Sequence, residues 1–280
     1  MIESLKLTPF EFQQQSTSDF AAQHLKAKAT ILDVGAGSGQ IAKNLCQKGF
    51  KVTALDRKFE DEAANLKTVK GLKLIEGDFL AVSELKEEKF DALLFSRVLH
   101  HLVPLRQTSA RARSLLKEKG KIIIEDFSYE RVDERTCAWL FPLAALLLDR
   151  YRLDRYRLNR EEDKPGSRHA WLCPPRGGLS ILDSNSPEVY VRQALEVWRR
   201  HHEEKHHIAP FEHIKSVLDD DYVVEMEARV PYLFRYLCDL LPDTTDGGIE
   251  AAKLAHWEAA LAESGAIAPV GVRIVATLKG

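Results

Sequence analysis

Along the first half of the chain, short apolar runs alternate with segments whose apolar positions recur every three or four residues. Residues 30 to 34 (TILDV) form one such run, break into Gly35, Gly37 and Gly39, and give way to a helical pattern from Ile41. Lys51 to Leu55 (KVTAL), Leu72 to Glu76 (LKLIE), Phe90 to Ser96 (FDALLFS) and Lys121 to Glu125 (KIIIE) repeat the theme. Runs of this length, bounded by turn residues and separated by helix-period segments, predict buried parallel strands with crossover helices. The expectation is an α/β fold, a Rossmann-like doubly wound sheet.

The pattern changes after Asp126. The next strand-like runs are Tyr222 to Val230 (YVVEMEARV) and Val270 to Leu278 (VGVRIVATL), which predict a hairpin completing a seven-stranded sheet with an antiparallel final strand. Tyr232 to Leu241 and Ile249 to Glu263 read as amphipathic helices between those strands. Residues 129–220 are far more than one crossover helix requires, and predict a mostly helical insertion. It opens with Cys137 to Leu148, an apolar stretch too short to span a bilayer core of roughly 30 Å and so expected to be a buried helix. The Arg/Tyr-rich RYRLDRYRLNR follows, then a Pro/Gly-rich loop around Lys164-Pro165-Gly166 and Pro174 to Gly178. Ser186 as N-cap and Pro187 at the first helical position open a helix expected to run to about His202. The expected organisation is residues 1–128 as the cofactor-binding half, 129–220 as the insertion and 221–280 as the completion of the core.

A strand, a glycine turn and a helix start together make a loop whose backbone can approach a ligand closely. The spacing is G-x-G-x-G, with Gln40 where a dinucleotide fingerprint has its last glycine, and this disfavours NAD. A ligand-free turn is the simpler alternative. Asp56 ends the second strand, 17 residues beyond Gly39, where a carboxylate can accept both hydroxyls of a ribose. Gly77, Asp78 and Phe79 put a small residue, a hydrogen-bond acceptor and an aromatic ring at the end of the third strand, a set that suits an adenine. His100 and His101 follow the fourth strand, and Asp126 follows the fifth.

Taken in order, ILDVGAGSG, VTALD, EGDF and FDALLFSRVLHHL resemble four motifs of the class I S-adenosylmethionine-dependent methyltransferase superfamily, over residues 28–128. The resemblance implies S-adenosylmethionine as cofactor and S-adenosylhomocysteine as product. It places Asp33, Gly35 and Gly37 at the methionyl part, Asp56 at the ribose, and Asp78 and Phe79 at the adenine. Ser96 and Arg97 would lie near the methionyl end, with Ala36, Gly39, Arg57 and Gly77 completing the cofactor site. The insertion falls where such enzymes commonly build a substrate lid.

Methyl transfer requires the acceptor to be held against an activated carbon, and a hydroxyl acceptor must also lose a proton. Imidazole titrates near neutrality, so His100 or His101, oriented by Asp126, is the candidate base. The arrangement resembles that of some O-methyltransferases acting on sugars and natural products. The alternative is that one histidine packs inward while the other caps a helix. A small-molecule hydroxyl is the expected acceptor, with nitrogen and carbon left open. An RNA or protein methyltransferase, or a non-catalytic cofactor-binding partner, is the competing reading.

Net charge of -2 and a pI near 6.6 give no general attraction to nucleic acid, and none is expected as partner. Cys46, Cys137, Cys173 and Cys238 lack metal or disulfide spacing, and the amino terminus lacks a signal-peptide pattern; a reducing cytoplasm is expected. His202-Glu203-Glu204-Lys205-His206 matches H-E-x-x-H. Ile208-Ala209-Pro210 ends any helix within a turn, and a run this rich in His and Glu reads better as a solvated helix end; no metal is expected. Arg150, Arg152, Arg155, Arg157 and Arg160, interleaved with Tyr151 and Tyr156, suit RNA or an anionic membrane surface. Asp149, Asp154, Glu161, Glu162 and Asp163 dilute that charge, and a salt-bridged helix face explains it as well. No transmembrane segment is expected, peripheral membrane contact stays open, and the oligomeric state is not specified.

Overall fold

The computed structural model describes residues 6–59, 66–86, 88–157, 170–172, 186–205 and 208–279. The expected Pro/Gly-rich loop, Arg160 and His206 lie outside them. In chain order the elements are α1 (Pro9–Gln23), β1 (Thr30–Val34), α2 (Gln40–Gln47), β2 (Lys51–Asp56), β3 (Leu72–Glu76), β4 (Phe90–Ser96), α3 (Leu105–Leu115), β5 (Leu116–Phe127), α4 (Glu134–Arg157), α5 (Pro187–Arg199), α6 (Phe211–Asp221), β6 (Tyr222–Val230), α7 (Phe234–Cys238), α8 (Thr245–Glu263) and β7 (Gly271–Leu278).

One seven-stranded sheet has the order β3-β2-β1-β4-β5-β7-β6. The first five strands are parallel. β7 runs against β5: Glu125 pairs with Arg273, while Lys121 reaches Glu225, which also accepts the Thr277 hydroxyl. β6 is antiparallel to β7, with Lys279 N bonded to Asp221 O at one end and Gly271 against Val230 O at the other. Strand order reverses between β1 and β4, and in open parallel sheets the crevice at the carboxyl ends beside such a reversal is where ligands bind.

The chain divides into two compact units. One comprises residues 13–128, 209–229 and 272–280 and holds the sheet. Side chains alternate across the strands. Leu32, Leu93, Phe95, Ile122, Ile124 and Ile274 pack on one face with α3 and α6 through Ala112, Leu115, Ile214 and Leu218. Ile31, Leu94, Ile123 and Val275 pack on the other with Phe20 and Ala21 of α1 and Ile41, Ala42 and Leu45 of α2. This two-sided burial is why the parallel strands read as continuous apolar runs.

The second unit comprises residues 1–12, 129–208 and 230–271, with α4, α5, α7 and α8. Ser186 accepts from Val189 N and Pro187 follows it, as expected for the start of α5. α5 ends at Arg199 in a π-helical turn, Arg200–Lys205.

Several elements differ from the reading of the sequence. β5 starts at Leu116, hidden by the polar Lys117-Glu118-Lys119, and runs through Phe127, so Asp126 lies within the strand rather than after it. Only Phe234–Cys238 of the expected helix 232–241 is helical, and it is buried all round rather than amphipathic. The apolar stretch 137–148 lies in a 24-residue helix and is not wholly buried, since Leu146 is 67% exposed. α1 escaped notice because much of its inward face is polar: beside Phe20 and Ala21, Gln13, Gln14, Thr17 and Ser18 are buried, and the Thr17 hydroxyl donates to Glu125 at 2.6 Å.

Candidate functional site

The glycine loop is shaped by its backbone. Gly35, Gly37 and Gly39 have φ of 71°, 54° and 73°, in the region L side chains rarely adopt. At Gly35 a β-carbon would also collide with Val98 Cγ2, whereas at Gly37 nothing lies within 4 Å of where one would stand. The loop therefore needs Gly35 for packing and leaves open space at Gly37. Gly35 N and Ala36 N donate to Leu55 O at 2.8 and 3.1 Å, and Gly37 N donates to Asp56 Oδ2 at 2.8 Å. Asp56 thus fastens the loop, with its other oxygen accepting Lys58 N at 3.1 Å.

Asp33, on β1 beneath this loop, is only 1% exposed, and neither carboxylate oxygen has a hydrogen-bond partner. Burial pushes its pKa up to about 7; Asp56 adds to the rise and the Arg97 cation opposes it. Arg97 itself has φ of 57°, a costly conformation for a residue with a β-carbon, held by its N–H bond to Glu125 O at 2.8 Å. Ser96 is buried and its hydroxyl oxygen also has no partner. Gly77 N donates to Asp56 O at 2.8 Å, which joins the ends of β2 and β3. Asp78 is exposed and caps its own turn by accepting Leu80 N at 2.8 Å. Phe79 is in the core, edge-on to Phe95 at 5.8 Å, and Arg57 is exposed.

At the ends of β4 and β5, His100 Nδ1 lies 2.6 Å from Asp126 Oδ1. His100 is 5% exposed, sits edge-on to Phe127 at 5.2 Å, and its carbonyl accepts Ala209 N at 2.9 Å. Asp126 Oδ1 also accepts Phe127 N at 2.9 Å, while Oδ2 is buried without a partner. With Nδ1 engaged, Nε2 is the nitrogen left to exchange a proton. His101 is exposed, with its ring 4.2 Å from that of His100.

Residues 32–124 match a family described as a methyltransferase domain. An uncharacterized methyltransferase of Alkaliphilus oremlandii (strain OhILAs) is 30% identical over 107 residues, 38% of this chain and 49% of that protein. A ubiquinone biosynthesis O-methyltransferase of Rickettsia prowazekii (strain Madrid E) is 35% identical over 103 residues, 35% of this chain and 40% of that one. A methyltransferase domain thus occupies residues 32–124, in keeping with the resemblance of its motifs to the class I S-adenosylmethionine-dependent methyltransferase superfamily. It spans only half or less of the length of these curated relatives. The crystal structure of Burkholderia thailandensis 1,6-didemethyltoxoflavin-N1-methyltransferase is 26% identical with a TM-score of 0.37, over 41% of this chain and 52% of that one. At that score the likeness adds nothing to the argument.

The residues of this methyltransferase domain fit the superfamily's cofactor. A buried carboxylate with two unpartnered oxygens, Asp33, suits an ammonium group. The open space at Gly37 admits a ligand against the backbone, and the Asp56 carboxylate has lone pairs beyond those used by Gly37 and Lys58.

His202 of the H-E-x-x-H run is used by the protein itself. Its Nδ1 is 2.8 Å from Trp198 O and its Nε2 3.0 Å from Tyr236 Oη, and its ring stacks on Tyr129. Both ring nitrogens are therefore engaged in a buried aromatic cluster rather than turned to solvent, which corrects the reading of this residue as a solvated helix end. The reading of the sequence also missed Val98, which backs Gly35, and the Ala209 N–H that holds the His100 carbonyl. Val98 lies within the fourth motif, yet its contact with Gly35, like that of Ala209 with His100, arises by proximity that only folding creates.

Proposed function

We propose that the protein transfers a methyl group from S-adenosylmethionine to a hydroxyl oxygen of a small molecule, with His100 as base and Asp126 as the group that orients it. The His100–Asp126 pair carries this reading. Bound cofactor supplies a methyl group on a sulfonium, already activated toward displacement. This chain's residues supply the rest. Asp33 binds the methionyl ammonium, Asp56 binds the ribose while fastening the glycine loop, and the Asp126 carboxylate fixes the His100 tautomer with Nδ1 protonated. The acceptor oxygen gives its proton to His100 Nε2 as it takes the methyl group. Positioning of the acceptor supplies up to ~7–11 kcal/mol in favourable cases, and a well-placed base a further 10²–10⁴-fold, to order of magnitude. His101, exposed and beside the His100 ring, is assigned a lesser role. A reducing cytoplasm suits Cys46 and Cys137, both free thiols.

Two measurements test this. Mass spectrometry of the purified protein, with calorimetry, should find S-adenosylmethionine or S-adenosylhomocysteine bound; failure to bind either overturns the cofactor assignment. A panel of hydroxylated small molecules should then yield O-methyl products. Methylation confined to RNA or protein would favour the competing reading.

A further inference from the structure

The segments that lead into the five parallel strands carry a charge that the total conceals. Because those strands are parallel, the segments entering them lie along one edge of the sheet, in the order β3-β2-β1-β4-β5. Residues 24–30, 47–51, 69–73, 86–91 and 116–121 contain eleven lysines, no arginine and four acids. The rest of the chain is therefore acid-rich. The net charge of -2, which gave no reason to expect a nucleic acid, sums two unlike regions.

Ion pairs take up only part of the excess. Lys48, Lys73, Lys117 and Lys121 are paired, with Asp19, Glu88, Asp91 and Glu225. Lys26, Lys28, Lys51, Lys70 and Lys119 are exposed and have no acidic partner among the described residues. They are spread from the start of β3 to that of β5, about 19 Å at the usual strand spacing. Within this span the edge sinks into an open recess of about 380 Å³, whose lining includes Lys51, Lys73, Lys89 and Glu88. The basic run stops at β5: α6, which leads into β6 two strands away, ends in Asp219, Asp220 and Asp221.

We infer that this edge binds the phosphate backbone of double-helical RNA. None of the large apolar side chains exposed among the described residues belongs to these segments, and Phe50 and Phe90 within them are buried. A protein partner would find no aromatic or apolar anchor here, and lysine is depleted at such interfaces. A bilayer would receive nothing to insert, and a single strand no ring on which to stack its bases. Duplex phosphates ask only for cations. The edge is made of turns, which lie across the wide, shallow minor groove of an A-form helix more readily than they enter a deep major groove. Strands of five to seven residues, about 17–23 Å, separate it from the ends of β1, β2 and β4, where Asp33, Asp56 and His100 stand. The RNA is thus a second partner held away from the methyl-transfer chemistry, and the inference is independent of the methyl acceptor.

The test is fluorescence anisotropy of a labelled RNA duplex titrated with the full chain between about 50 and 200 mM salt. With five phosphates neutralised, affinity should fall by roughly 10²–10³ across that range. Lys26→Gln, Lys51→Gln and Lys70→Gln together should flatten the slope of log affinity against log salt by roughly 0.9 per lysine, with melting as in the wild type. Lys51→Gln with Lys70→Gln serves if the triple variant unfolds. Lys6→Gln with Lys253→Gln, both in the helical unit, should leave the slope unchanged. No binding at the lowest salt, a slope that the three replacements do not alter, or tighter binding of the matching DNA duplex overturns the proposal. So does equal binding of polyglutamate or of phosphatidylglycerol vesicles, since an acidic protein or a bilayer would then be the occupant.

Discussion

Asp33, in the sheet-bearing unit, and Glu258, in the helical unit, are both almost fully buried carboxylates, and burial raises the pKa of each. Their surroundings differ completely. Glu258 accepts three backbone N–H groups, from Tyr232, Leu233 and Phe234, at 2.7 to 2.9 Å, satisfying buried donors at the start of α7. Asp33 accepts none. The two buried histidines among the described residues divide in the same way: His202 has both nitrogens engaged by its own unit, while His100 has one held by Asp126 and the other left over. A buried polar group that the fold has saturated is serving the fold; one left with unused capacity is available to a ligand.

Substitutions at five residues sharpen or break this contrast. His100→Ala should lower turnover by roughly 10²–10⁴ with cofactor affinity nearly unchanged, whereas His101→Ala should do less. Turnover in the His100 variant equal to wild type would leave the histidine without chemistry and the contrast with His202 without meaning. Glu258→Ala strands three buried donors and should destabilise the protein by about 3–4 kcal/mol in chemical denaturation, with Glu258→Gln recovering part of it. A loss below about 1 kcal/mol would show that α7 does not depend on that carboxylate.

Asp33→Asn tests the opposite case. Because the folded-state pKa of Asp33, about 7, lies above the ordinary carboxylate value of 3.8, the folded protein keeps a proton that the unfolded chain has already released between those values. Stability of the cofactor-free protein should therefore fall as pH rises from about 4 to 7, by up to ~4 kcal/mol, with about half of that surviving local relaxation. The difference between wild type and Asp33→Asn across that range isolates the group. Cofactor binding should strengthen over the same interval in the wild type, since an ammonium prefers the ionised carboxylate. Flat melting-temperature differences against pH would remove Asp33 from the set of strained, ligand-directed groups. The smallest effect is expected for Asp56→Ala, which should weaken S-adenosylmethionine binding by roughly 1.5–3 kcal/mol in calorimetry. A loosened glycine loop contributes part of that loss, because Gly37 N loses its acceptor.

The strands of the parallel half and the turn between β1 and α2 were legible in the sequence because their causes are local. Burial on both faces writes a continuous apolar run, and positive φ at residues 35, 37 and 39 demands glycine, so both leave marks within a few residues. Asp33 and His100 stood out by their place in those same motifs. What their side chains meet was not legible. Asp126 lies 26 residues from His100, Ala209 more than a hundred from it, and Thr17 bonds Glu125 across 108 residues. α1 hides for a related reason: much of its buried face is polar, and the partners of that face are on other elements.

The sequence by itself determined the alternation of strands and helices and the backbone shape of the glycine loop, since local sterics and solvent exclusion act on neighbouring residues. Tertiary structure alone decided which buried carboxylates and imidazoles are saturated and which retain capacity, because desolvation and hydrogen-bond geometry depend on groups that chain order does not place together.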